Sequence, residues 1–255
     1  MARLAVALAW ALGASAPAAA TAQEEPALQP AFAYGGTDCV EPSVIVSVPA
    51  DRARAAVPEP YTPRSLSGDR ASADVLLAVA RCAALTVDGR TVSGRTVVDA
   101  GVAIQSPDGT SGAHVYQLWQ LSDSREVSAA MASVGVRGGQ VGGLGVQDMG
   151  TTAFDRATAA VPWSESPYDL TVEAAAADAS SSSTTTWWHR GPRGVVRLGY
   201  TFPRSASRFG SGGVNAREGS PLAQLLGGPS ANGNGFVGRL DFAGRVSAER
   251  APAAP

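Results

Sequence analysis

The sequence predicts a mainly β (α+β) fold, a barrel or sandwich with one or two covering helices. Three observations carry this. Short apolar stretches of strand length recur from about residue 43 to residue 246, separated by Gly-, Pro-, Asp- and Ser-rich turns. Only one segment has a sustained helical period. No internal repeat and no linker divides the chain, so about eight to ten strands belong to one domain, residues 39–246.

The elements follow in order. Residues 23–38, "QEEPALQPAFAYGGTD", read as an extended lead-in. "SVIVSVP" alternates, with Val44, Val46 and Val48 on one face. "DRARAAVPEPYTP" reads as a short helix from Asp51 stopped at Pro58. "ADVLLAVARCAALTV", residues 73–87, is apolar along its length, as a strand covered on both faces would be, and ends in Asp88-Gly89. "RTVVDAGVAIQ" pairs with "AHVYQLWQL" across the turn "SPDGTSG".

The longer helix is "SDSREVSAAMASVG". Asp123 followed by Glu126 has the form of a capping box, Val127, Met131 and Val134 form one apolar face, and Gly135 suits the helix end. "RGGQVGGLGVQD" follows a helix rather than opening one and lacks the GxGxxG spacing, so it reads as a turn or bulge and not as a nucleotide loop. "SPYDLTVEA" is an amphipathic strand with Tyr168, Leu170 and Val172 facing in. "TTTWWHRG" and "VVRLGYTF" form a hairpin. Residues 205–235 are rich in Gly, Ser and Asn, with helix punctuation at Ser220, Pro221 and Gly227. "FVGRLDFAGRV" closes the domain, and residues 247–255 read as a disordered tail.

The ends and the composition bound the function. Residues 1–22 have the form of a signal peptide: Arg3, the apolar "LAVALAWAL" and the small-x-small site Ala20-Thr21-Ala22. The expected compartment is therefore secreted or extracytoplasmic, and no second apolar stretch is long enough to span a bilayer in the mature chain. Cys39 and Cys82 are the only cysteines; in an oxidising compartment such a pair bridges, the alternative being two buried thiols. All 20 basic residues are arginine, scattered without a basic stripe, so no nucleic-acid partner is expected.

Strand alternation selects the candidate ligand-binding residues. His114 and Tyr116 share a face of one strand with Leu118 and Gln120. Trp188 and His189 fall on opposite faces of another, and Asp99 and Gln105 share a face of a third. Polar and aromatic residues mixed on strands covered from both sides suit the lining of a barrel cavity; a core with satisfied polar tips is the structural alternative. GxSxG and HExxH are absent, and two histidines cannot build a three-histidine zinc site. No metal and no cofactor is expected. A site of His114, His189 and Asp99 is arithmetically possible for a metal, but no spacing argues for it.

One resemblance adds to this reading. The order "PADRARAAVPEPYTP", a strand ending near Cys82, "VVDAGVAI", a turn, "HVYQLWQLSD" and a helix ending at Gly135 resembles the acetoacetate decarboxylase-like family over roughly residues 40–200. The resemblance implies a β-barrel-like fold around a central cavity, with Asp99 matching the family's strand carboxylate. It also implies a Schiff-base lysine in a Pro-Lys-Lys segment after the helix, where this chain has "VRGGQ" and no lysine. A Schiff base needs a primary amine, so decarboxylation by that route is excluded for any side chain. The function expected is binding of a small, partly apolar molecule in the barrel. The alternatives are a lysine-independent isomerase, lyase or hydrolase using Asp99 and a histidine as acid–base groups, and an envelope-associated interaction protein.

Overall fold

The computed structural model describes residues 27–151, 155–175, 179–180 and 183–250. The expected signal peptide and residues 251–255 of the expected tail lie outside the described residues. The strands are β1 (Gln29–Pro49), β2 (Ser72–Val87), β3 (Arg90–Ala103), β4 (Ala113–Ser122), β5 (Gly138–Gln140), β6 (Gly145–Asp148), β7 (Asp155–Val161), β8 (Tyr168–Ala174), β9 (Ala179–Ser180), β10 (Ser183–Gly191), β11 (Gly194–Ala216) and β12 (Ser230–Ala248). Three helices complete the described chain: α1 (Ala50–Ala56), α2 (Arg125–Val134) and α3 (Pro221–Leu226).

Hydrogen bonding closes seven strands into a ring in the order β10-β4-β3-β2-β1-β12-β11, because β11 also pairs with β10. Every pairing in the ring is antiparallel except β4 with β10. The far halves of β11 and β12 continue beyond the ring and join β8, β7 and β6 in a second layer.

Two cores result from period-two alternation. One fills the ring and includes Tyr34, Cys39, Cys82, Val97, Trp187, Leu198, Tyr200 and Phe242. The other lies between the outer face of β1–β4 and the second layer, with Val44, Val46 and Val48 facing Leu170, Val172 and Val214. Strand β2 therefore buries much of both faces, Leu77 and Val79 outward and Ala80 and Cys82 inward, which is why its sequence is largely apolar. The β2–β3 hairpin turns on Asp88 and Gly89, both at positive φ (46° and 77°), with Val87 opposite Arg90.

Helix α2 packs Val127, Met131 and Val134 onto the ring core and stops at Gly135, whose φ is 89°. Its cap is Ser124 and not the expected Asp123. The Ser124 hydroxyl accepts from the Val127 N–H and donates to Glu126, while Asp123 accepts from the Thr96 N–H on β3. The two residues compete for one role, and the cross-strand partner takes Asp123 away.

Three further expectations change. Most of the lead-in is strand, since β1 pairs from Gln29 onward. The tail is strand as far as Ala248. The Gly-, Ser- and Asn-rich stretch 205–235 is largely strand as well, flanking α3. Several of its strand glycines mark close approach: a Cβ on Gly233 would stand 2.0 Å from the Ile45 carbonyl oxygen, and one on Gly212 2.7 Å from a Val44 methyl.

Candidate functional site

Asp99 stands on β3 with its side chain in the ring. Two amides hold it: Gln117 and Gln120 donate from Nε2 to Asp99 Oδ1 at 2.6 and 3.0 Å. Residues three apart on a regular strand face opposite ways, so the shared partner needs an irregularity. The β3–β4 register supplies it. Asp99 pairs with Gln120 and Ala100 with Trp119, but Gly101 pairs with Gln117, leaving Leu118 as the extra residue of a bulge. The bulge overturns the strict alternation expected for this strand. Gln120 joins the face of Gln117 instead of that of His114 and Tyr116, while Trp119 and Leu121 enter the outer core with Tyr116.

Around Asp99 the ring holds a second carboxylate and an aromatic group. Glu41 of β1 bonds the Ser43 hydroxyl at 3.2 Å. Gln120 reaches the Tyr200 hydroxyl at 3.5 Å. Tyr34, Tyr200 and Phe242 meet edge to face, with centroids 5.1 to 6.2 Å apart. Gly36 makes room for them: a Cβ there would lie 2.4 Å from the Phe242 ring. The Cys39–Cys82 disulfide closes the same wall, joining residues directly opposite across β1 and β2.

Burial pushes Asp99 up to about 7, with the Glu41 charge adding to it and the two glutamines opposing it. Burial pushes Glu41 up to about 7 as well. Both carboxylates are half-buried. The Tyr34 hydroxyl and the Oε1 atoms of Gln117 and Gln120 are buried without a hydrogen-bond partner, and buried unpaired polar atoms are costly unless water or a ligand meets them.

The other candidates gather elsewhere. His114 and Trp188 are buried and bonded together: the Trp188 indole N–H donates to His114 Nδ1 at 3.1 Å, and His114 Nε2 lies 3.0 Å from the Thr110 carbonyl oxygen. Neutral imidazole with its proton on Nε2 satisfies both contacts. Tyr116 packs between Tyr61 and His189, with centroids at 5.1 and 6.0 Å. His189 Nδ1 lies 3.0 Å from the Gln117 carbonyl oxygen. Trp188 belongs to the outer core and Trp187 to the ring core, so adjacent tryptophans separate as strand alternation requires.

Tyr116 and His189 line an open surface groove of about 440 Å³ with Leu118, Gly135, Arg137 and Arg190. A second groove of about 490 Å³ is lined by Asp155, Arg208, Val237 and Arg239. Neither includes Asp99. No hydrogen bond or ion pair among the described residues joins Asp99 to either histidine. Gln105 is exposed. The sequence reading missed Glu41, Gln117 and Tyr34. The signal for the first was available, since a glutamate sits two residues from Cys39 on an inward-alternating strand.

No family model matches the chain, and no curated protein matches it. Solved structures do. The enduracididine biosynthesis enzyme MppR complexed with pyruvate is 14% identical, with 92% of this chain and 95% of that one covered at a TM-score of 0.54. An acetoacetate decarboxylase-like enzyme from Sphingomonas wittichii RW1 is 10% identical, covering 92% and 100% at 0.55. The acetoacetate decarboxylase of Legionella pneumophila subsp. pneumophila str. Philadelphia 1 is 12% identical, covering 92% and 98% at 0.51. The fold is acetoacetate decarboxylase-like. Within this decarboxylase-like frame, the segment after α2 comes back against β4 as β5, with Gly138 opposite Gln120. Gly138 has φ 141°, and a Cβ there would stand 1.7 Å from the Gln120 carbonyl oxygen. The stretch "VRGGQ" thus meets β4, whose glutamines bind Asp99, backbone to backbone.

Proposed function

We propose that this is an extracytoplasmic protein that binds a small, partly apolar molecule inside its ring of strands, without Schiff-base chemistry. The observation that carries the reading is Asp99: a carboxylate among apolar and aromatic side chains of the ring, gripped by two glutamines whose second polar atoms are unpaired. Binding sites join an apolar lining to a few placed polar groups, and this arrangement has that composition. Asp99 is the ligand-facing group. Tyr116 and His189 contribute the wall of the outer groove, and Trp188 with His114 holds the strand pair β4–β10 behind it. The chain contains no lysine, so no side chain offers the amine that a Schiff base requires. The apolar leader and the Cys39–Cys82 bridge support the compartment.

A fluorinated fragment library screened by ¹⁹F NMR against the oxidised protein, with hits located by crystallography, tests this. Density inside the ring between Asp99 and Tyr200 is the expected result. No hit, or hits only in the surface grooves, overturns the reading.

A further inference from the structure

Among the described residues the ring interior offers acceptors and no cation paired to them. Asp99 and Glu41 supply two carboxylates. Among the described residues no ion pair reaches either of them; the arginines pair instead with carboxylates such as Asp38, Asp108, Asp148, Asp155 and Asp241. A buried carboxylate is ordinarily paired or neutralised, because its desolvation is expensive. Among the described residues neither Asp99 nor Glu41 has such a partner.

The remaining polar atoms point the same way. The Oε1 atoms of Gln117 and Gln120 are pure acceptors, buried and unmatched, on the same planar amides whose Nε2 atoms hold Asp99. The site therefore offers carboxylate and amide oxygens together, and what it needs is N–H donors. Next to these oxygens stands the edge-to-face group Tyr34, Tyr200 and Phe242. Aromatic rings attract cations through their quadrupole and tolerate the alkyl or aryl body attached to one. A hard metal ion fits less well. Calcium asks for six to eight oxygens, and no group of three or more His, Cys, Asp or Glu side chains suited to a metal exists among the described residues.

We infer that the molecule taken up inside the ring is a small organic cation, an ammonium on an apolar body, whose N–H groups meet Asp99, Glu41 and the two glutamine oxygens beside the aromatic group. This rests on the ring-interior reading above and adds the charge of the ligand to it. The cation supplies the counter-charge that no described residue provides, and its donors satisfy the orphaned oxygens.

Three probes of one shape and different charge test it by isothermal titration calorimetry: benzylamine, benzyl alcohol and benzoate, with calcium chloride as a fourth arm. The expected result is benzylamine bound at least about tenfold more tightly than the alcohol or the acid, the size of one charge-assisted hydrogen bond. Asp99→Asn should weaken benzylamine by about tenfold or more, and Glu41→Gln, measured separately in case the first variant misfolds, should weaken it in the same direction. Benzyl alcohol or benzoate binding as tightly as the amine overturns the inference while leaving the ring-interior reading in place. Calcium displacing the amine, or unchanged benzylamine affinity in both variants, also overturns it. Failure of all three organic probes, together with an empty fragment screen, sinks both readings.

Discussion

Trp188 donates its indole N–H to His114 Nδ1 across 3.1 Å, with both side chains buried where β4 and β10 run in parallel. Replacing His114 by Ala leaves that indole N–H without a partner and opens a void beside it. The expected cost is about 2–3 kcal/mol in urea-induced unfolding. Trp188→Phe removes the donor and should cost about 1–3 kcal/mol. The double variant should cost less than the two single costs combined, since each single change already breaks the same bond. Strict additivity would refute the coupling.

Asp99 and Glu41 make stability fall as pH rises. Their folded-state values, about 7, lie above those of an unfolded carboxylate, about 4, so the folded chain binds more protons between these limits. Their contribution is most favourable below about pH 4, is lost progressively towards pH 7, and changes little above it. Asp99→Asn keeps an acceptor for the two glutamines but cannot ionise. Its melting temperature should match that of the unmodified protein near pH 4 and exceed it at pH 8. A variant less stable at pH 8 would show that the charge is compensated in the native state.

The Cys39–Cys82 bridge spans a separation of 43 residues. Closing a loop of that size constrains the unfolded chain by at most about 4 kcal/mol. Thiol titration of the denatured, unreduced protein should find no free thiol, and reductant should lower the melting temperature. Two titratable thiols before reduction would contradict the bridge.

Gly138→Ala places a methyl group against the Gln120 carbonyl at a position already left-handed in φ. The β4–β5 pairing should break, at a cost of at least ~2 kcal/mol, and the Gln120 contact with Asp99 should loosen with it. Gly142→Ala, where no atom lies within 4 Å of the added Cβ, is the control and should cost far less. Equal melting temperatures for the two variants would refute the close approach.

Much of the fold is visible in the sequence because its local rules agree with its global ones. The largely apolar run of β2 announced two covered faces, Asp88-Gly89 announced a hairpin, and Gly135 and Gly227 announced helix ends. The halves of β11 and β12 within residues 205–235 were hidden because several of their glycines stand where another chain segment leaves no room for a side chain, and composition alone gives glycine the look of a loop. The site was half legible. Asp99 emerged from strand alternation and family resemblance. Gln117 and Gln120 did not, because one extra residue at Leu118 reverses the side-chain direction between them and nothing in "YQLWQ" announces a bulge.

The ring is joined unevenly. Strands β1 and β12 share fourteen registered pairs, from Gln29 opposite Ala248 to Ile45 opposite Asn234, whereas β4 and β10 share four, in the slightly weaker parallel arrangement. A hoop under thermal agitation parts first at its shortest weld. Amide hydrogen exchange should therefore run faster at residues 113–116 and 185–188 than along β1, by openings smaller than global unfolding. The Trp188–His114 bond is then the clasp on that weld.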